Sequence, residues 1–414
     1  MRLPRFSAVV GCVLLLATTG YATHVPTATP VPLTAFALCR TGEAEAPTSW
    51  PQNSTPQHGG RPQEPQAGQG PQDEAQPGPA TEKSRKLSRT YRAVAGRPYS
   101  VNTRYGRVQI NTWSRREIRT DVEIVSRADT EDKAQQLLDM IQVQSTEQDA
   151  ETGGIAFRSH FGAMPRACWS RTKLYEVNYT VWLPQNTNLR VYNSFGEISI
   201  ASDLTGSTEL AVEYGTLRTG RLEGTQNLVR VGNGSVAIPF ARKASIDASY
   251  SKVRLDEGQL VTLRNNYSDI DIGTVQDLTV HSKYGDVALG TVRNLRGTAG
   301  YSKFSIDRID ERLDMSVQYC PAFEVRTTGR NFRAINVDGG YSTILLNFPD
   351  GAGFNFDVNT LHGKLVVDKR LVRVDSEESS ASSSDTQGRF GVVPGRNAGI
   401  VNVKVRYGDV RFNR

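Results

Sequence analysis

The sequence lacks the short motifs that mark the common catalytic and cofactor-binding sites. It contains no G-x-S-x-G, H-E-x-x-H, P-loop or C-x-x-C motif, and no G-x-G-x-x-G that follows a predicted strand. Its five histidines are scattered, and none lies near a nucleophile or a second metal ligand in the sequence. We therefore predict that the protein is not an enzyme and has no catalytic, cofactor-binding or metal-binding residue.

Runs of like charge are also missing. The 49 Lys and Arg residues are interspersed with 43 Asp and Glu residues, which leaves a net charge of only +6. Mixed charge of this kind is typical of a solvated β surface, whereas a nucleic-acid-binding face carries clustered basic residues. The sequence therefore argues against a nucleic-acid partner.

No apolar run is long enough to cross a membrane. The most apolar stretch covers about residues 6 to 17, whereas a transmembrane helix needs about 20 residues. It follows Arg2 and Arg5, which is the layout of a secretory signal. We predict a signal peptide over residues 1–22, with cleavage as late as residue 37. The mature chain would be periplasmic, cell-surface or secreted, with no transmembrane span; a lipid anchor on Cys39 stays open.

Cysteine is rare, with four residues in the chain, and Cys12 lies in the predicted signal. In an oxidising compartment Cys168 and Cys320 are able to pair, while two buried free thiols are the alternative. We predict a disulfide between Cys168 and Cys320.

Large apolar residues are almost absent from about residue 41 to residue 83, where Pro, Gln, Gly and Glu dominate. Such a composition buries too little surface to offset the entropy cost of ordering. We predict a disordered tether over residues 38–87, with the ordered domain beginning near Ser88. By the same reasoning, the Ser- and Glu-rich segment 375–387 is predicted to be a disordered loop.

The dominant feature that is present is a repeated phrase. An aromatic residue is followed by a small residue, a variable residue, and two apolar residues separated by one position. Four copies occur at a spacing of 17 residues, at Tyr250–Leu255, Tyr267–Ile272, Tyr284–Leu289 and Tyr301–Ile306. The aromatic position is filled by Tyr105, Phe195, Tyr214, Tyr250, Tyr267, Tyr284, Tyr301, Tyr319, Tyr341 and Tyr407, with Asn233 and His362 as substitutions.

Apolar residues at alternate positions are typical of a strand with one buried face. Their recurrence every 17 to 22 residues predicts a mainly β fold, a parallel β-solenoid (single-stranded β-helix), over residues 191–414. A hairpin array is disfavoured because no two-residue hairpin turn signal recurs. Residues 88–190 are predicted to form the first coil and a small α+β N-terminal cap, with a helix from Thr130, its N-cap, to about Gln142.

The aligned aromatic residues predict a structural ladder along one edge. The ladder would either bind carbohydrate on its ring faces or stack ring on ring to seal a corner, and we favour the second interpretation. The small residue after each aromatic is Ser in four copies, which indicates tight steric room there rather than a left-handed backbone.

Some parallel β-helices cleave polysaccharides with clustered carboxylates. Asp269 and Asp286 share the variable position and are expected to lie one above the other, with Asp307 farther along. Because Lys252 and Lys303 fall in the same column, the pattern favours surface charge pairing over catalysis.

Three segments resemble a family of bacterial exported β-strand-repeat proteins labelled "putative adhesin", a domain of unknown function common in Bacteroidetes. They are RYGRVQI at Arg104–Ile110, YTVWLPQNTNLRVYNSFGEISI at Tyr179–Ile200 and RYGDVRF at Arg406–Phe412. The resemblance covers residues 88–414 and implies a role in surface attachment, but it transfers no binding or catalytic residues.

These observations predict a non-enzymatic, exported, adhesin-like binding module of the surface or periplasm. A polysaccharide-active β-helix enzyme and a structural scaffold of the envelope are the alternatives. The partner itself is not specified by the sequence; a surface glycan and an envelope protein are the two candidates.

Overall fold

The computed structural model describes residues 81–168, 174–393 and 398–414. Within these ranges the chain is mainly β, and its 24 strands form one continuous hydrogen-bonded sheet. The predicted signal peptide, Cys12, Cys39 and the tether up to residue 80 lie outside the described residues. No helix in the described ranges is long and apolar enough to span a membrane.

The N-terminal part contains seven strands and one α-helix. Strands β1, β4 and β7 are antiparallel neighbours, and β5 pairs with β6 in the same way. Strand β2 lies parallel to β6, and β3 lies parallel to β7, so that this part continues directly into the repeats. The strands are β1 (Thr81–Arg92), β2 (Tyr99–Arg104), β3 (Arg107–Trp113), β4 (Glu117–Ala128), β5 (Ile141–Thr146), β6 (Ile155–Phe161) and β7 (Tyr175–Pro184).

Helix α1 (Glu131–Asp139) lies between β4 and β5, as predicted. The prediction of Thr130 as its N-cap is confirmed, because the Thr130 hydroxyl accepts a hydrogen bond from the Lys133 backbone N–H at 3.4 Å. The helix ends at Asp139 rather than near Gln142 because the fully buried Ile141 already begins β5.

The predicted tether was too long at its C-terminal end. Strand β1 begins at Thr81, and each of its residues from Thr81 to Arg92 pairs with a residue of β4. Most of its side chains are exposed, so β1 is held by backbone hydrogen bonds more than by burial. Composition does not reveal such pairing, so the ordered domain was predicted to begin at Ser88 instead of at Thr81.

The central repeats are parallel and in register, as their spacing predicts. Val253, for example, pairs with Ile270, which is 17 positions later, and Leu210 pairs with Val229 at a spacing of 19. We call each pair of strand segments that meets at an aromatic position a repeat unit. The strands are β8 (Leu189–Ser194), β9 (Glu197–Ile200), β10 (Thr208–Glu213), β11 (Thr216–Arg218), β12 (Asn227–Gly232), β13 (Ser235–Ser249), β14 (Lys252–Asn266) and β15 (Asp269–Gln318).

The core consists of apolar columns that run through successive units. The two apolar residues of each phrase are buried, as at Val253 and Leu255 or Ile270 and Ile272, each at most 3% exposed. Burying one such side chain contributes about 1.5–3 kcal/mol. After Tyr319 the apolar pair comes one residue later than after Tyr301, because Pro321 is inserted, and Phe323 pairs with Phe304. Because the buried pair lies just after the aromatic residue in each unit, these columns fix where each aromatic residue lies along the sheet.

The C-terminal strands are not arranged in sequence order. Strand β23 lies between β17 and β19, and β24 lies between β18 and β20, with all of these neighbours parallel. The strands are β16 (Phe323–Val325), β17 (Ala334–Gly340), β18 (Ile344–Asn347), β19 (Phe354–Leu361), β20 (Leu365–Val367), β21 (Val372–Ser379), β22 (Ser383–Phe390), β23 (Gly399–Arg406) and β24 (Val410–Asn413).

The prediction of a disordered loop at residues 375–387 was wrong. Strands β21 and β22 form an antiparallel hairpin, and β22 also pairs with β19. Phe390 is buried, and Arg389 donates two hydrogen bonds to the carboxylate of Asp375 at 3.0 and 3.1 Å. The hairpin covers the outer edge of β19. This pairing with β19 orders the segment, and the local composition does not reveal it.

The predicted disulfide was also wrong, since Cys168 and Cys320 are both free and buried. Cys168 packs with Ala134 and Leu137 of α1 in a small cluster outside the main core. Cys320 lies in the main core beside the corner at Tyr319. Burial raises the pKa of the Cys320 thiol. The two cysteines belong to different hydrophobic clusters, and the sequence alone did not show this separation.

Candidate functional site

The residue at each aromatic position has a left-handed backbone. All twelve non-glycine residues with positive φ in the described ranges are the ten aromatics, Asn233 and His362, with φ between 50° and 60°. This conformation costs an ordinary L-residue about 1–2 kcal/mol. The sequence raised a left-handed backbone only at the small residue, and there we favoured tight steric room instead. The left-handed position is the aromatic residue before it.

The small residue after each aromatic is required by a close approach of two backbones, as expected. A Cβ atom at Gly196 would overlap the carbonyl oxygen of Gly106, and one at Gly215 would overlap that of Gly196. Successive units therefore meet at this position with no room for a side chain at either glycine.

Where the small residue is serine, its hydroxyl takes part in the corner. The Ser251 hydroxyl donates to the Ser249 carbonyl at 2.6 Å and accepts from the Gly234 N–H at 3.1 Å. The Ser268 hydroxyl accepts from the Ser251 N–H at 3.0 Å in the next unit. These hydroxyls satisfy backbone donors at a point where the strand turns.

Buried asparagines brace the same corners, and sequence reasoning missed them. The Asn193 side-chain N–H₂ donates to the carbonyls of Gly106 and Glu197 at 2.9 and 3.1 Å. Asn265 donates in the same way to Ser268 at 3.1 Å. The available signal was an asparagine two positions before the aromatic residue, at a position that otherwise faces the core.

The aromatic rings stack along the corners in two runs, one on each side of Asn233. We call the ten predicted aromatics the aromatic ladder. Neighbouring ring centroids lie 4.4–5.3 Å apart with interplanar angles of 1–21°. His362 continues the stack beyond Tyr407 at 4.7 Å, and Phe161 and Tyr175 pack edge-on against Tyr105 at the other end.

The ladder stacks but does not bury its rings. Eight of the ten rings are between 45% and 60% exposed, while Tyr105 and Tyr284 are half-buried. Because each ring covers the faces of its neighbours, the solvent-facing part of the ladder is a row of ring edges and tyrosine hydroxyls. Partial burial and the neighbouring phenols Tyr284 and Tyr250 raise the pKa of Tyr267.

The ladder has one gap, at Asn233. Its unit lies between those of Tyr214 and Tyr250, so these two rings are two strand spacings, about 9–10 Å, apart. Asn233 is shorter than tyrosine and is flanked by Gly232 and Gly234, which carry no side chains. Tyr250 is 60% exposed, the largest fraction among the exposed rings. We call Tyr214, Asn233 and Tyr250 the Asn233 notch; it leaves the outer parts of two ring faces without a stacked neighbour.

A groove runs beside the ladder on the outer face of the strands that follow each corner. It consists of two adjoining depressions of 590 and 610 Å³ that share Thr216 and Arg218. In the first, Glu197 lies 3.1 Å from the Arg107 guanidinium and 3.6 Å from that of Arg218. We call the two depressions together the ladder groove. The second is lined by charged side chains of both signs, Lys252, Arg254, Asp269, Asp271, Asp286 and Lys303.

The carboxylates considered for catalysis are all accounted for. Asp269 and Asp286 lie in the ladder groove, as their shared position predicts, and both are exposed. Asp307 is not part of the groove lining and binds Arg326 at 2.6 Å. Within the described ranges, no group of three His, Cys, Asp or Glu residues is arranged to hold a metal ion. Asp269 and Asp286 lie beside Lys252, Arg254 and Lys303 in the same groove, as expected for charge pairing on a surface.

No family model and no curated protein matches the chain. Among solved structures, a putative adhesin from Bacteroides fragilis is 11% identical, covers 79% of this chain and 97% of its own, and has a TM-score of 0.27. A putative cell adhesion protein from Clostridium sporogenes is 9% identical, with coverage of 80% and 99% and a TM-score of 0.18. A putative lipid binding protein from Parabacteroides distasonis is 9% identical, with coverage of 80% and 97% and a TM-score of 0.23. The adhesin names agree with the family that the sequence resembles.

Proposed function

We propose that this protein is a non-enzymatic binding module that attaches to an elongated surface glycan. Its parallel repeat units would coil as a β-solenoid over residues 191–414, with residues 88–190 as first coil and cap. A signal peptide and a tether before Thr81 would place it outside the cytoplasm, at the surface or in the periplasm. The observation that carries the proposal is the row of half-exposed rings along one edge, with a gap at Asn233.

The exposed half of each ring is what a purely structural stack does not need. Stacked aromatic pairs contribute about 0.5–1.5 kcal/mol beyond their buried area, which offsets a left-handed backbone costing about 1–2 kcal/mol. Stacking therefore explains why rings tolerate these corners. It does not explain a contiguous exposed aromatic strip, and strips of this kind mark interaction surfaces.

The shape of the surface favours a long ligand. The ladder with its gap and His362 spans twelve corner positions, and adjacent strands are about 4.8 Å apart, so the strip is about 50 Å long. The ladder groove runs beside the strip. Its charged and polar side chains include both donors and acceptors for hydrogen bonds to sugar hydroxyls. The Asn233 notch offers ring faces against which one sugar ring can pack.

The proposal is tested by measuring binding of the full chain to a panel of immobilised polysaccharides. Tyr250→Asn and Tyr267→Asn remove two rings while keeping a residue that tolerates the left-handed backbone, as Asn233 does. Leu260→Asn is the matched control, because Leu260 is 45% exposed, like Tyr267, but lies away from the ladder.

We expect the double ladder variant to lose binding and the Leu260→Asn variant to keep it. Equal binding by both variants, or no glycan bound by the unchanged chain, would refute the proposal. Cleavage of a bound polysaccharide that stops in an Asp269→Asn variant would instead establish the enzymatic alternative.

A further inference from the structure

The last repeat unit in the sequence is inserted between two units that precede it. We call β23, the corner at Tyr407 and β24 the C-terminal unit, residues Gly399–Asn413. Residues Ile400–Arg406 pair with Ala334–Gly340 on one side, and Gly399–Arg406 pair with Phe354–Leu361 on the other. The two flanking strands are thus separated by one strand that comes from elsewhere in the chain.

The insertion is complete at the corner as well as in the strands. The Tyr341 N–H donates to the Arg406 carbonyl at 2.7 Å, and the Tyr407 N–H donates to the Leu361 carbonyl at 2.7 Å. The Tyr407 ring stacks at 4.7 Å on both Tyr341 and His362. The inward-facing residues of the C-terminal unit are at most 2% exposed; they are Val401, Val403, Val405, Val410 and Phe412.

Without the C-terminal unit, the sheet would contain a slot one strand wide. Within the described residues β17 and β19 do not pair with each other, so both would present unpaired edges that face one another. Unpaired parallel edges of this kind bind another strand readily. A segment that fills the slot must carry alternate apolar residues, a small residue at the corner and an aromatic ring at the ladder position.

The C-terminal unit is attached in a way that differs from the central units. Those units follow one another through short connections, and each is flanked by its sequence neighbours. The β21–β22 hairpin and residues 391–398 separate the C-terminal unit from one flanking unit, β19 and β20, and the other flanking unit, β17 and β18, lies farther back in the sequence. The C-terminal unit can therefore leave and enter the slot without disturbing the order of the other units.

We propose that the slot also accepts the C-terminal unit of a second copy of this chain, so that two molecules exchange residues 399–413. Each slot in the exchanged dimer receives the same strand pairs, apolar residues and stacked ring as in the monomer. Exchange of an identical element requires no new interface, and the balance between monomer and dimer is then set by concentration and by the connector.

The experiment uses two full-length chains with different affinity tags, produced in the same cell. One carries Asn336→Cys and the other Asn402→Cys, because the Asn402 side chain donates to Asn336 at 2.9 Å across the slot edge. Directly opposite residues of neighbouring strands lie within disulfide reach. Asn347→Cys with Asn413→Cys is a second pair of the same kind, across β18 and β24.

Exchange predicts a disulfide-linked species of two chains that carries both tags, formed with either pair. Asp247→Cys with Arg264→Cys is the control, because these residues face each other across consecutive units and should give no linked species above background. All chains carry the same native cysteines, so any disulfide linkage through these cysteines is the same in every pair of variants. A single chain carrying Asn336→Cys and Asn402→Cys shows that the disulfide forms. If that chain is linked internally while both mixed pairs give only the background of the control, the exchange is refuted.

Discussion

The ring of Tyr407 stacks on the ring of Tyr341 at a centroid distance of 4.7 Å and an interplanar angle of 9°. In the sequence, the six strands β18 to β23 lie between these two residues. The ladder therefore follows the order of the strands in the sheet and not the order of the chain. Any change that removes the C-terminal unit interrupts the ladder before its last position, His362.

The apolar column of the C-terminal unit is predicted to be essential for stability. Phe412 is 2% exposed, and its ring packs edge-on against Phe348 and Phe354. We expect Phe412→Ala to lower the free energy of unfolding by about 3–5 kcal/mol because it leaves a cavity. Arg411→Ala, on the exposed face of the same strand, should change it by no more than about 0.5 kcal/mol. Urea denaturation measures both, and equal small effects would contradict the packing described.

The left-handed backbone of the ladder gives a second prediction. At Tyr267, φ is 54°, a conformation that asparagine tolerates and β-branched residues avoid. Tyr267→Asn and Tyr267→Val both remove the ring, so the difference between them isolates the backbone. We expect the valine variant to be less stable than the asparagine variant by about 1–2 kcal/mol in chemical denaturation. A valine variant as stable as the asparagine variant would mean that the corner is not left-handed.

The serine corners give a third prediction. Ser251→Ala removes the hydroxyl that accepts from the Gly234 N–H and leaves that donor without its partner. Leaving a buried donor unsatisfied costs about 1–3 kcal/mol. Ser305→Ala is the control, since Ser305 lies in the ladder groove and is half-exposed. Thermal or chemical unfolding should separate the two variants, and a neutral Ser251→Ala would contradict the role given to the hydroxyl.

A fourth prediction concerns pH and the β21–β22 hairpin. Burial and the neighbouring Asp385 carboxyl raise the pKa of Asp357, and Lys404 only partly opposes this. Because the folded pKa lies above the ordinary value, folding favours the neutral carboxyl. This contribution to stability is complete below the ordinary pKa of an aspartate and is lost as pH rises through the raised pKa.

Asp357→Asn should therefore stabilise the chain at neutral pH and have less effect in acid. Denaturation midpoints of the variant and the unchanged chain at neutral and at acidic pH measure this effect, together with hydrogen exchange of the hairpin amides. Leu260→Asn, at an exposed position of β14, is the control, because it changes no titratable group and should show no such pH-dependent gain. A gain for Asp357→Asn that is equal at both pH values would rule out titration of this carboxyl as the cause.

Much of the central sheet was predictable because its information is local and repeated. Alternation at Val253 and Leu255, copied 17 positions later at Ile270 and Ile272, defines both the buried face and the parallel register. The Thr130 cap was predictable for the same reason, since capping depends on residues within one turn.

What the sequence did not reveal depends on contacts between distant segments. The phrase at Tyr407 has the same pattern as the others, so nothing local indicates that it belongs between Tyr341 and His362. The hairpin at residues 375–387 is ordered by pairing with β19, and strand β1 by pairing with β4. The left-handed backbone at the aromatic position was not predicted, because tyrosine is less common in left-handed turns than glycine or asparagine is.

The interleaved C-terminal unit also sets an order of events during synthesis. A chain made from its N-terminus to its C-terminus can stack the central units as they emerge, each on the one before it. The unit at β17 and β18 and the unit at β19 and β20 reach their final neighbours only after Gly399–Asn413 has been made. The sheet is therefore completed at an internal position, by a unit that is synthesised after both of the units between which it lies.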